Sequence, residues 1–112
     1  MTTNKLQLKD AKLFREQCYI DGSWQDADNK STFTINNPAT GVKLGTVPKM
    51  GTAETRRAIE AANAAWPAWR AKLARERAII LRKWYELIIA NQDDLALLMT
   101  SEQGKPLAAC RA

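Results

Sequence analysis

Histidine is absent from all 112 residues, and that one gap removes a broad set of chemistries. Without imidazole there is no Ser–His or Cys–His nucleophile pair, no histidine-bearing zinc site and no side chain that titrates unperturbed near neutrality. Cysteine is scarce as well. Cys18 and Cys110 stand far apart, too few for a disulfide framework or a four-cysteine zinc site, so a reduced, cytoplasmic setting is expected. The five glycines fall in neither G-x-G-x-x-G nor G-x-x-x-x-G-K-[ST] spacing, which excludes the familiar phosphate cradles. No long apolar run exists: the most apolar stretch, Ala78 to Ala90, is broken by Arg82, Lys83 and Glu86, so no membrane partner is expected. Met1 to Asp10 carries two lysines and no apolar h-region, which predicts no secretory signal. A stand-alone catalyst would have only carboxylates and lysines to work with.

What remains is globular in character, with 46% hydrophobic and 26% charged residues. A compact chain of this length has room for one small domain and buries roughly 60–65% of its unfolded surface. The formal charge of +5 raises the question of nucleic acid, with Arg70, Lys72, Arg75, Arg77, Arg82 and Lys83 as the densest basic cluster. Arg82 and Lys83, however, fall on the polar side of an amphipathic helix, where charge serves solvation. Trp66, Trp69 and Trp84 occupy helix-packing positions rather than a flat basic sheet. No nucleic-acid partner is expected.

The first ten residues are polar and expected to fray. Asp10 is placed to cap a short helix through Arg15. Cys18-Tyr19-Ile20, Asp21-Gly22 and Ser23-Trp24-Gln25 read as a β-hairpin, because Asp-Gly supplies the positive φ angles of a tight turn. Asp26 to Ser31 is a polar loop, and Thr32-Phe33-Thr34-Ile35 alternates as a half-buried strand does. Asn37-Pro38-Ala39-Thr40-Gly41 is a turn, followed by a strand over Val42 to Val47 that Pro48 ends. The second half is helical. Thr52 is the expected N-cap of a first helix, with Glu54 in its first turn. Ala58, Ile59, Ala61, Ala62, Ala65 and Trp66 give it a small-residue face, expected to pack on another element before Pro67. A second helix spans about Arg75 to Ala90, with Ala78, Leu81, Trp84, Tyr85 and Ile88 on one face, flanked by Ile80, Leu87 and Ile89. An arc this wide implies burial on more than one side. Leu81, Trp84, Tyr85 and Ile88 can meet the alanine face of the first helix, which leaves the three isoleucine and leucine flanks partly wet. A third helix carries Leu95, Leu98 and Met99 and ends at Gly104; Pro106 is set to open a fourth at its first position.

Taken in order, these landmarks resemble the N-terminal part of the NAD(P)-dependent aldehyde dehydrogenase family. Tyr19-Ile20-Asp21-Gly22-Ser23-Trp24 is similar to its opening hairpin. Asn37-Pro38-Ala39-Thr40-Gly41 with Gly45-Thr46-Val47-Pro48 is similar to its Asn-Pro-Ala-Thr-Gly turn and following strand. Ala61-Ala62, Trp66, Trp69, Glu76-Arg77 and Leu81 resemble its first helical pair, and Glu102-Gln103-Gly104-Lys105-Pro106-Leu107 closes the series. Each motif alone is weak; five in order and spacing over residues 19–107 are specific. Val47 to Gly51 and Gln92 to Ala96 are most similar to the bacterial succinate-semialdehyde-oxidising branch of the family, which serves 4-aminobutyrate breakdown.

The resemblance implies an α/β fold, α+β as a fragment: a β-hairpin and strands followed by a helical bundle belonging to a coenzyme-binding domain. The expected organisation is a polar segment over 1–17, strands over 18–48 and helices over 49–112, all within one incomplete domain. It also implies oxidation of a small-molecule aldehyde to a carboxylic acid by a homo-oligomer. A cysteine thiolate attacks the carbonyl, hydride passes to NAD or NADP, and a glutamate-activated water releases the acyl group. An asparagine side chain and a backbone N–H stabilise the oxyanion. None of those positions matches a residue here, so no catalytic, cofactor-binding or metal residue is assigned. Neither Cys18 nor Cys110 inherits the nucleophile role, and the chain alone is expected to be inactive and to bind no dinucleotide. Glu102 and Lys105 invite an acid–base reading, yet no partner group sets up a pKa shift, and dipole compensation and solvation account for them. The family also offers a cation site, for which Glu102 would join the main-chain carbonyls of Ile35 and Asn36. The competing reading is a small autonomous basic α+β module that acts by interaction with acidic surfaces.

Overall fold

A computed structural model describes residues 6–112; of the ten residues expected to fray, 1–5 lie outside the described residues, and Lys9 and Asp10 are instead held by their main-chain amides. An arm leads in from Leu6 to Gln17, with a single 3-10 turn at Ala11–Leu13 that Asp10 caps by accepting the Lys12 amide at 3.0 Å. Strands β1 (Cys18–Ile20) and β2 (Ser23–Gln25) then pair antiparallel, Tyr19 opposite Trp24. Asp21 and Gly22 join them with φ of 50° and 78°, the two positive angles a two-residue hairpin turn needs.

A second antiparallel pair follows, β3 (Thr32–Asn36) with β4 (Lys43–Pro48), in register from Thr32–Pro48 to Ile35–Gly45 and shifted at Asn36. The turn between them is built by Asn37, whose side-chain oxygen accepts from Ala39 and Thr40 amides at 2.9 and 3.3 Å. Gly41 closes it in the left-handed region. Pro48 lies inside β4, not after it. As the terminal residue of an edge strand it has no ladder donor to lose.

Four helices complete the chain: α1 (Thr52–Ala71), α2 (Ala74–Ala90), α3 (Gln92–Gln103) and α4 (Leu107–Cys110). Two sequence expectations are corrected at their ends. Gly51, not Thr52, is the N-cap of α1. The Glu54 carboxylate reaches back to the Gly51 amide at 3.3 Å, which supplies half of a capping box without a hydroxyl. Helix α1 runs through Pro67 to Ala71. The carbonyl that loses its donor belongs to Asn63 on an exposed stretch, where water can take the bond. Pro106 is the extended N-cap of α4 rather than its first helical residue. Gly104, at φ 80°, ends α3 as anticipated.

The tertiary arrangement is open. Buried apolar residues are Ala27, Leu44 and Ala96, all outside α1 and α2. Helix α3 packs on α4, whereas α1 and α2 form no extended contact with each other. The alanine face of α1 therefore does not receive Leu81, Trp84, Tyr85 and Ile88, which stay exposed beside Ile80, Leu87 and Ile89. Accessible surface is 8726 Å², against about 6,200 Å² for a compact monomer of this mass. The radius of gyration is 16.9 Å, against about 13 Å for a compact chain of this length.

Candidate functional site

The arm meets β3, β4 and α3 around one cavity. Here Leu6 and Phe14 from the arm, Ile35 from β3, Leu44 from β4, and Leu98 and Glu102 from α3 surround a cavity of about 50 Å³. The lining is apolar apart from Arg15, Thr46 and Glu102. Two carboxylates hold the arm in place. Asp94, near the start of α3 and only 6% exposed, accepts the Lys9 amide on one oxygen and the Asp10 amide on the other, each at 2.9 Å. Glu16 accepts the Thr46 amide at 2.9 Å and its hydroxyl at 3.0 Å. The Asp10 amide, then the Lys9 amide, hold the Asp94 carboxyl below the usual carboxylate range, against burial, which pushes the other way.

Of the residues singled out from sequence, Glu102 and Ile35 reach the same cavity, while Asn36 lies outside its lining. Among the described residues no three carboxylate or cysteine side chains converge to hold a metal ion. Lys105 stands just past Gly104, and its carbonyl accepts from the Thr100 hydroxyl and from the Cys110 thiol. Cys18 and Cys110 are both half-buried free thiols, one in β1 and one in α4. The structure thus gathers none of Cys18, Cys110 and Lys105 around Glu102 as a reacting group. Asp94 and Glu16, which shape this region, were not singled out from sequence. The Gln92-Asp93-Asp94 run entered the sequence reading only as part of the family resemblance.

The glycines offer no dinucleotide cradle. Gly22, Gly41 and Gly104 each close a tight turn, and Gly45 lies within β4. Gly51 alone stands between a strand and a long helix, and its amide is already taken by the buried Glu54 carboxylate, an anion where a phosphate would have to sit.

Hairpin, Asn-Pro-Ala-Thr-Gly turn, helical pair and left-handed Gly104 occur in the order the sequence motifs imply, and the chain belongs to the aldehyde dehydrogenase family, whose pattern matches residues 24–112. A glutarate-semialdehyde dehydrogenase from Pseudomonas putida is 68% identical over 106 residues, which cover 95% of this chain and 22% of that protein. An NADP(+) succinate-semialdehyde dehydrogenase from Escherichia coli is 58% identical over the same shares of the two chains. The crystal structure of succinate-semialdehyde dehydrogenase from Burkholderia pseudomallei superposes with a TM-score of 0.89 at 63% identity, over 93% of this chain and 22% of that one. The chain therefore spans about a fifth of the length of the relatives it matches.

Proposed function

We propose that these residues are the opening part of an NAD(P)-dependent aldehyde dehydrogenase that oxidises the semialdehyde of a short dicarboxylic acid to the diacid. Succinate semialdehyde, with 4-aminobutyrate breakdown as its setting, is the first candidate and glutarate semialdehyde the second. The observation that carries this reading is the similarity, 68% and 58% identical, to glutarate- and succinate-semialdehyde dehydrogenases across 95% of the chain. Both aldehydes carry a carboxylate at the far end, so the two relatives share one substrate chemistry. The role of residues 6–112 is scaffolding within one coenzyme-binding domain, in a cytoplasmic homo-oligomer. The dinucleotide would accept the hydride, but Gly51 and Glu54 do not fit its phosphates, and no reaction step is assigned to this segment.

A chimera tests the reading: the matching segment of the Escherichia coli enzyme is replaced by this chain, and NADPH formation from the two semialdehydes is followed. Activity within about tenfold of the parent on at least one of them is expected. A folded, correctly assembled chimera with no turnover on either would overturn it. The 112-residue chain by itself is expected to produce no NAD(P)H and to give no saturable heat with millimolar NADP. Turnover abolished by Cys18→Ser or Cys110→Ser would refute the scaffolding role.

A further inference from the structure

We propose that the arm, Leu6 to Gln17, is a strap docked by two carboxylate–amide grips, one from Asp94 of the body onto the arm's main chain and one from the arm's own Glu16 onto β4, and that its docking closes the cavity beside Glu102. The geometry at Asp94 is the first support. Its two oxygens receive two consecutive amides, from residues 85 and 84 positions away. A paired grip of this kind fixes the direction of the backbone as well as its position. The Asp10 side chain adds to it by turning the chain immediately afterwards through the Lys12 amide.

The far end of the strap is held with the roles reversed, the carboxylate on the arm and the amide on the body. One oxygen of Glu16 takes both donors of Thr46 on β4. Between the two grips the Phe14 ring lies so close over β4 that a Cβ added at Gly45 would stand 2.8 Å from its Cζ. Gly45 is thus small because the strap passes over it, not because its backbone needs a positive φ. By contrast, the side-chain contact between arm and α3 is weak. Lys9 meets Asp93 at 3.5 Å with both side chains mostly exposed, and such pairs contribute little. If the strap lifts, Leu6 and Phe14 leave and the cavity between β4 and α3 loses a wall. Docking is therefore decided by Asp94 and by the arm's own Glu16, each in combination with backbone, and the Lys9 charge is dispensable.

Amide hydrogen exchange on the full 112-residue chain tests this residue by residue. Asp94→Asn keeps the shape but puts a donor where one acceptor was. The Lys9 and Asp10 amides are expected to exchange about tenfold or more faster, while Lys9→Ala changes them less than about twofold. Lys9→Pro removes one of the two donors and should free the neighbouring Asp10 amide. If Asp94→Asn also strips protection from α3, Lys9→Pro decides the matter, because it leaves Asp94 intact. A freed Asp10 amide then supports the strap, and a protected one overturns it. Equal effects of Lys9→Ala and Asp94→Asn, or no protection of these amides in the parent chain, would also overturn it.

Discussion

Two parts of this chain carry apolar side chains that meet opposite fates. In α3 and β4 they are covered by the chain itself: Ala96 is 1% exposed and Leu44 8%. In α1 and α2 they are not, with Ile59 and Leu87 at 63% and Trp84 at 64%. The difference does not lie in helix propensity, since α1, α2 and α3 are all well-formed helices. It lies in what the connection brings back. The arm and the β3–β4 pair return to α3, whereas among the described residues α2 meets α3 and the arm only near its C-terminal end. A contiguous apolar face of that kind on a soluble protein marks a surface meant to be covered. Membership of a family whose matched members are about five times longer is consistent with that cover coming from elsewhere in such a protein.

The largest expected effect separates the two parts in solution. Leaving Ile80, Leu87 and Ile89 wet forgoes about 5 kcal/mol or more, comparable with the whole stability of a small domain. The isolated chain should show helical circular dichroism, a shallow melt, strong binding of an apolar-surface dye, and self-association. Trp84→Lys with Ile88→Lys should lower dye binding and self-association several-fold and leave the helical signal intact. A sharp, reversible two-state transition in a micromolar monomer would break the comparison and favour an autonomous module.

A pair of truncations sharpens it. Leu44→Ala opens a hole beneath the strap and should cost about 2–3 kcal/mol. Leu81→Ala, made in the same chain, should cost no more than about 0.5 kcal/mol. Urea titration of local exchange in β4 and α2 reads both; equal costs would mean that α2 is packed after all. Gly104→Ala comes next, at about 1–2 kcal/mol, since its φ of 80° is unfavourable to a side chain. The new Cβ would also stand 3.1 Å from Pro38 Cγ. Gly22→Ala shares the backbone penalty but meets open space, so it should cost less than Gly104→Ala. The reverse order would show that the Pro38 contact does not constrain α3.

What could be read in advance was local. Asp21-Gly22 announces its turn because the required φ angles belong to those two residues, and Gly104 announces the end of α3 for the same reason. The true cap of α1 was hidden because Thr52 looks like a cap, while the bond actually made comes from Glu54 reaching back to Gly51. Helix α1 passes Pro67 because exposed backbone tolerates one lost hydrogen bond, a fact about surroundings rather than about proline. The stripe on α2 was legible as a face, but periodicity names no partner, and the alanine face of α1 was the wrong one. Asp94 was least legible of all, because both its donors are main-chain groups from the other end of the chain.

The smallest expected effect is the pH dependence of the strap. Asp94 is held below the ordinary carboxylate range by the Asp10 and Lys9 amides, with the Lys9 charge adding to them and burial opposing. Its other charged neighbours are Asp93, itself paired with Lys9 and Arg111, and the Asp10 carboxylate, which is turned to Lys12. A group with a depressed folded pKa contributes stability above its unfolded value, near 3.9 for aspartate, and loses it as the pH falls through the folded value. Protection of the Lys9 and Asp10 amides, corrected for intrinsic exchange, should therefore stay level from neutrality to about pH 4 and fall only below it. In Asp94→Asn the same curve should be flat and low throughout. A midpoint near neutrality would show that another group holds the arm, and a fall shared by Asp94→Asn would move the acid-sensitive grip to Glu16.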